Sequence, residues 1–127
     1  MITKILNLRS FLKSFANAVR GIKFLFKTQQ NARIELIIAG IVIAASLIFR
    51  ISSFEWLAVF LCVALVLSLE GINTAIEIFA DKLHPGFDKE IGNVKDVAAG
   101  AVLMGAVVAA VVGFIIFAPR LWAVFIQ

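Results

Sequence analysis

The chain has 127 residues, 62% of them apolar and only 16% charged, and its mean hydropathy is +1.04. A typical soluble domain is about 45–50% apolar and about 25% charged, and so short a chain cannot hide this much apolar surface in a core of its own. An ordinary soluble domain and a disordered segment are therefore both excluded, and with Cys62 and His84 alone of their kinds so are a disulfide framework and a His/Cys zinc site.

The elements follow in chain order. Lys4, Arg9, Lys13, Arg20, Lys23, Lys27 and Arg33 all precede the first acid, Glu35, and carry most of the net charge of +4. Between them Phe11, Leu12, Phe15 and Ala16 recur at helical spacing. The pattern predicts an amphipathic helix over 1–30 lying in a membrane interface, bases flanking an apolar stripe. Bases interrupt the stretch too often for a secretory signal. A basic arm for nucleic acid is set aside because of what comes next.

Three apolar runs predict membrane-spanning helices over 34–50, 54–80 and 97–118, the first somewhat short of the ~20 residues a crossing needs. Arg50-Ile51-Ser52-Ser53 reads as a tight turn, and Pro119-Arg120 as the end of the last span. Residues 81–96 hold Pro85, Gly86 and Gly92 and read as an irregular, water-facing loop. Lys82, Lys89 and Lys95 then share a side with the basic N-terminus, and Arg50 and Arg120 lie on the other. The excess of bases puts the N-terminus and the 81–96 segment in the cytoplasm, with Trp56 and Trp122 at the outer boundary. The expected fold class is an all-α membrane protein: three transmembrane helices plus an N-terminal interfacial helix, in one domain. The small residues Ala98 to Ala101, with Gly105, let another helix approach closely and favour packing between subunits. No internal repeat of a transporter is evident.

Acids inside a span are costly and point to function. With Glu70 as zero and roughly 100° per residue, Asn73 falls near −60°, Glu77 near −20° and Asp81 near +20°. Two carboxylates and a carboxamide on one stripe make an oxygen donor set suited to Mg²⁺. Glu70 lies roughly 22 Å along the helix from Glu55, and Glu77 about 10 Å further, near the surface of a ~30 Å hydrocarbon core. Glu70 can thus meet a lipid headgroup while Glu77 meets something water-soluble. The competing reading is that these acids pair with bases of neighbouring helices and serve packing alone. Asp96 reads either as a helix cap or as part of a site, and Lys95 either snorkels or holds a polyphosphate.

Glu70-Gly71-Ile72-Asn73-Thr74-Ala75-Ile76-Glu77 with Asp81 resembles the signature of the small prokaryotic diacylglycerol kinase family, which includes undecaprenol kinases. Lys95-Asp96-Val97-Ala98-Ala99-Gly100-Ala101-Val102 is similar to its second block, and Ser14 to Ile22 with Asn31-Ala32-Arg33-Ile34 to its first. The resemblance implies a homotrimer in the bacterial cytoplasmic membrane, with active sites between subunits, that phosphorylates diacylglycerol or undecaprenol from ATP and Mg²⁺. It implies Glu70 as general base, Glu77 as a metal ligand, and Asn73, Glu77, Asp81, Lys95 and Asp96 around the nucleotide. It also places Arg9 with Glu70 at the lipid. Gln29 departs from the pattern, standing where many members have a second metal-binding glutamate. Its carboxamide still offers an oxygen without the charge, and Glu35 is the residue placed to compensate.

No GxxxxGK[ST] loop or Asp-Phe-Gly motif is present, but phosphoryl transfer asks mainly for positioning, Mg²⁺ and cations. The rival from another class is a small oligomeric cation channel lined by Glu70 and Glu77. It leaves Lys95-Asp96 and the basic helix without a role, and a purely structural subunit leaves both acids without one.

Overall fold

A computed structural model describes residues 7–126; residues 1–6, Lys4 among them, and Gln127 lie outside the described residues. The described chain is all-helical: α1 spans Leu8–Thr28, α2 Gln30–Ile48, α3 Ser53–Leu83 and α4 Lys89–Ile126. The last three are long and apolar enough to cross a membrane.

Helix α1 starts at Asn7, whose side chain accepts from the Ser10 N–H at 3.4 Å and satisfies one of the free donors of the first turn. None of its residues is buried, and Phe11, Leu12, Phe15 and Ile22 remain exposed beside the bases. It meets the rest of the molecule through its C-terminal half, where Leu25 packs over Gly71 of α3. Gln29 alone separates α1 from α2, with an extended backbone (φ −101°, ψ 120°). The corner is braced by the Arg33 guanidinium, which donates to the Lys27 carbonyl at 3.0 Å.

Helix α2 begins at Gln30, ahead of the predicted start at residue 34, because Gln30, Asn31 and Arg33 form a polar first turn that hydropathy does not register. Its 19 residues give about 28 Å, close to the full hydrocarbon thickness. The turn expected at Arg50 is present. The Ile51 N–H donates to Ser46 O at 3.2 Å and the Arg50 N–H to Leu47 O at 3.3 Å, the paired bonds of a Schellman cap. Arg50 takes the left-handed conformation there (φ 49°), a position usually held by glycine. Helix α3 follows at once from a capping box. Ser52 Oγ accepts from the Glu55 N–H at 3.3 Å while Glu55 Oε2 accepts from the Ser52 N–H at 2.7 Å.

The reading of 81–96 as a loop is corrected. Helix α3 runs through Asp81 to Leu83 and α4 starts at Lys89, so only residues 84–88 are irregular. The cap of α4 is Asp88, not Asp96: Asp88 Oδ1 accepts from the Glu90 N–H at 2.8 Å and the Ile91 N–H at 2.9 Å. Gly92 therefore sits inside the first turn of α4, and Asp96 lies about two turns in. The expectation that Pro119 ends the last span is corrected too, since α4 continues to Ile126. Proline removes one backbone donor without ending the helix here. The Arg120 guanidinium donates both to the Ile116 carbonyl and to Glu55 of α3.

Helices α3 and α4 form the main packed pair, joined antiparallel. At one end Arg120 grips Glu55 through two bonds of 2.8 Å, a bidentate fork. At the other, Lys95 Nζ donates to Asp81 Oδ1 at 2.9 Å. The two pairs are 26 residues apart on α3 and 25 on α4, about 38 Å of helix, so they bracket a ~30 Å apolar slab. Between them Gly105 is buried against Leu69 and Leu65; a Cβ there would stand 2.8 Å from Leu69 Cδ1. Near the Glu55 end, Ile51, Val59 and Ile116 are buried with Phe49 and Phe117 around them, the two rings 6.2 Å apart.

Two predictions follow from this packing. Gly105→Ala asks only the tip of Leu69 to turn aside and should melt close to wild type. Gly105→Ile asks the helices to separate and should cost about 1–3 kcal/mol, the usual range for overpacking. Equal melting temperatures in detergent would show that α3 and α4 do not meet there. The second concerns Asp88, whose carboxyl is held below its usual range by the Ile91 and Glu90 N–H groups with His84 beside it. Its folded value is depressed, so its contribution is full above the ordinary carboxylate value of about 4 and fades as pH falls through the lower folded value. Asp88→Ala should melt below wild type at pH 7, by a gap that holds to about pH 5 and closes below about pH 4. A gap that widens on acidification would contradict the cap.

Candidate active site

The site grows from one face of α3. In the half nearer Glu55 that face is apolar, with Val59, Val63 and Val66 lining a cavity of about 320 Å³ between α2, α3 and α4. Further along it turns polar. Glu70 is 3% exposed, Asn73 6% and Thr74 4%, whereas Glu77 is half-buried and Asp81 exposed. The acids pass from buried to exposed in the order that the helix carries them toward the 84–88 turn.

Asn73 and Glu77 meet, the amide Nδ2 donating to Glu77 Oε1 at 3.5 Å. With its nitrogen so committed, Asn73 Oδ1 is buried and has no hydrogen-bond partner. A buried, unpaired carbonyl is costly unless something takes it up. Beside a carboxylate, the group best suited to do so is a hard, oxygen-seeking cation. Two protein oxygens are few for calcium but ordinary for Mg²⁺, which keeps waters and takes phosphate oxygens as its other ligands. The residues present therefore fit that ion. Among the described residues no three His, Cys, Asp or Glu side chains gather into a closed metal cage.

One turn beyond Glu77, Asp81 is bonded to Lys95. An ammonium has three donors, so the pairing fixes where Lys95 stands and leaves N–H groups for an anion. Asp96 is exposed beside it. Gln29 is half-buried at the α1–α2 corner, its Nε2 3.5 Å from Thr28 Oγ1. Glu35, one to two turns along α2, lies within electrostatic reach of Glu70 and has Oε2 buried without a partner. Arg9 stands in the first turn of α1, roughly 24 Å along that helix from Leu25, where α1 touches α3. Within one chain the fold does not gather Arg9 with Glu70. Sequence reasoning passed over Thr74, whose burial on the stripe's flank shows only once α1 is in place; at about +40° from Glu70 it was nevertheless within the same helical sector.

A family model described as prokaryotic diacylglycerol kinase matches residues 16–117. The chain belongs to the prokaryotic diacylglycerol kinase family. It is 37% identical over 118 residues to the undecaprenol kinase of Bacillus subtilis, covering 90% of this chain and 93% of that one. It is 34% identical over 113 residues to a diacylglycerol kinase of Synechocystis, covering 88% of this chain and 65% of that one. As a member of this family the protein is a lipid kinase embedded in a membrane, and the cation-channel reading gives way.

The unpaired carbonyl yields a test. Asn73→Leu removes a buried acceptor that nothing in the protein satisfies, so its melting temperature in detergent should equal or exceed that of wild type while phosphate transfer is lost. A lower melting temperature would mean that the carboxamide holds the fold instead.

Proposed function

We propose that the protein transfers the γ-phosphate of ATP to the terminal hydroxyl of undecaprenol, at the cytoplasmic face of a bacterial inner membrane and as a homotrimer with α1 in the interface. The observation that carries this reading is the graded face of α3, with buried Glu70 above the Asn73–Glu77 pair and the Asp81–Lys95 pair. Undecaprenol is favoured over diacylglycerol because the undecaprenol kinase of Bacillus subtilis aligns with nearly the full length of both chains. The cytoplasmic placement is supported by the bases of α1 and of the 82–95 region, which also draw an anionic nucleotide to that side.

Glu70 accepts the proton of the lipid hydroxyl as its oxygen attacks the γ-phosphorus; the bond from that phosphorus to the bridging oxygen breaks, and ADP leaves with the electron pair. Glu77 and the Asn73 carbonyl would hold Mg²⁺, with Gln29 offering a further oxygen. Bound there, the ion neutralises charge on the phosphates of ATP. Lys95, positioned by Asp81, places a cation on those phosphates, and Asp96 lies alongside. Burial of Glu70 keeps water from competing for the phosphoryl group.

Radiolabelled phosphate transfer in detergent micelles, with undecaprenol and diacylglycerol offered separately, tests the reading. Label is expected in undecaprenol, with Glu70→Gln lowering turnover at least about 100-fold, the scale of a lost general base, while Mg²⁺-ATP still raises the melting temperature. Glu77→Gln should instead weaken Mg²⁺-ATP binding in calorimetry. Unchanged turnover in Glu70→Gln removes it from the base role, and label confined to diacylglycerol overturns the choice of acceptor.

A further inference from the structure

A hydroxyl inside a helix ordinarily bonds back to the carbonyl four residues earlier. Thr28 does so, with Oγ1 donating to Phe24 O at 2.8 Å, and so does Ser46, donating to Val42 O at 2.7 Å. Thr74 does not. It is 4% exposed, and its Oγ1 is buried with no hydrogen-bond partner. The side chain lines a groove of about 600 Å³ between α1 and α3, walled by Ile22, Leu25 and Phe26 on one side and by Leu67, Gly71, Ile78 and the exposed Ser68 on the other. Leu67, Gly71 and Thr74 are three residues before, one after and four after Glu70. The groove therefore runs along the flank of the buried carboxylate, and its unpaired hydroxyl sits one turn from it.

A largely apolar groove with one buried, unsatisfied hydroxyl one turn from a carboxylate matches a molecule that is apolar along its length and carries a single oxygen at its end. We propose that Thr74 is a substrate-positioning residue: its hydroxyl donates to the oxygen of the lipid's acceptor alcohol and holds that oxygen for Glu70. The proposal rests on the reading of Glu70 as the base and adds the group that orients the alcohol before its proton is taken. The alcohol then donates to Glu70 and accepts from Thr74, so both of its hydrogen-bonding directions are fixed within the apolar groove. Thr74 has no part in holding the nucleotide, which belongs to Asn73, Glu77 and Lys95 on the other flank of the stripe and beyond.

The test pairs Thr74→Val, which keeps the shape and loses the hydroxyl, with Thr74→Ser, which keeps the hydroxyl. Initial rates are measured in mixed micelles against undecaprenol and against Mg²⁺-ATP. Thr74→Val should lower kcat/KM for the lipid roughly tenfold to a hundredfold, the range for one hydrogen bond whose loss leaves a polar partner unmatched. Its KM for Mg²⁺-ATP and its melting temperature should not fall, since it removes an unsatisfied buried group. Thr74→Ser should stay within about threefold of wild type. Wild-type lipid kinetics in Thr74→Val would overturn the proposal. So would a loss shared with Thr74→Ser, a matching rise in KM for Mg²⁺-ATP, or a lower melting temperature with trimer dissociation, which would make the hydroxyl a packing group. Glu70→Gln, run alongside, separates the two readings: retained turnover there removes the base, whereas the lipid-specific effect of Thr74→Val reads the groove itself.

Discussion

The antiparallel seam between α3 and α4 is the constraint on which the rest depends. It is pinned at both ends by ion pairs, Glu55 with Arg120 and Asp81 with Lys95, and closed between them by the missing side chain of Gly105. In lipid, apolar surface does not drive helices together, so close backbone approach and polar pairs must do it. Matched spacing of the pairs on the two helices locks the register, and the register sets the depth of everything on α3. Glu70 lies about 16 Å inward from the Asp81 pair, inside the slab; Glu77 lies near its edge. A slip of one turn along this seam would move every site residue by about 5.4 Å and part the acid ladder from Lys95.

The same seam explains how a helix tolerates so many polar groups in its buried half. Glu70, Asn73 and Thr74 are almost fully buried, and Asn73 Oδ1 and Thr74 Oγ1 have no partner among the described residues. Each such atom destabilises the resting protein. They persist because the bracketing pairs, the capping box at Ser52 and the Asp88 cap hold α3 and α4 at their ends, leaving the middle free to carry unsatisfied groups. In the proposed reading the buried polar atoms without partners on this stripe take up ligands, and their chemistry divides by flank. The carboxamide and Glu77 suit a hard cation with phosphates; the hydroxyl, in an apolar groove, suits an alcohol.

Much of this was legible in the residues. Uncharged runs of near-crossing length predict three spans, and the spacing of Glu70, Asn73, Glu77 and Asp81 predicts their common face, because both signals are local and periodic. What escaped has a common cause, in that it depends on contacts across the seam. Lys89 to Asp96 lacks apolar periodicity and contains Gly92, yet it is helical because Asp88 caps it and Lys95 is tied to Asp81. Pro119 reads as a terminator, yet α4 runs through it because Arg120 is anchored on Glu55, sixty-five residues away in the chain. Arg50 stands in a left-handed cap where glycine would be expected, and the buried side chain of Ile51 beside it shows what secures that turn.

Gln29 is the place where local and long-range readings have to be joined. As a departure from the family pattern it suggests a weakened metal site, but the fold makes it the single extended residue between two helices, braced by Arg33 on Lys27. A residue there is chosen first by the corner it must make. Glu35, in the second turn of α2, lies within electrostatic reach of Glu70, and its buried Oε2 has no partner among the described residues. Glu35 also lines the apolar cavity between α2, α3 and α4, on a different face of α3 from the groove that holds Thr74. Two carboxylates near Glu70 repel a third negative charge, and in the proposed reading Mg²⁺ and the bases of α1 offset it.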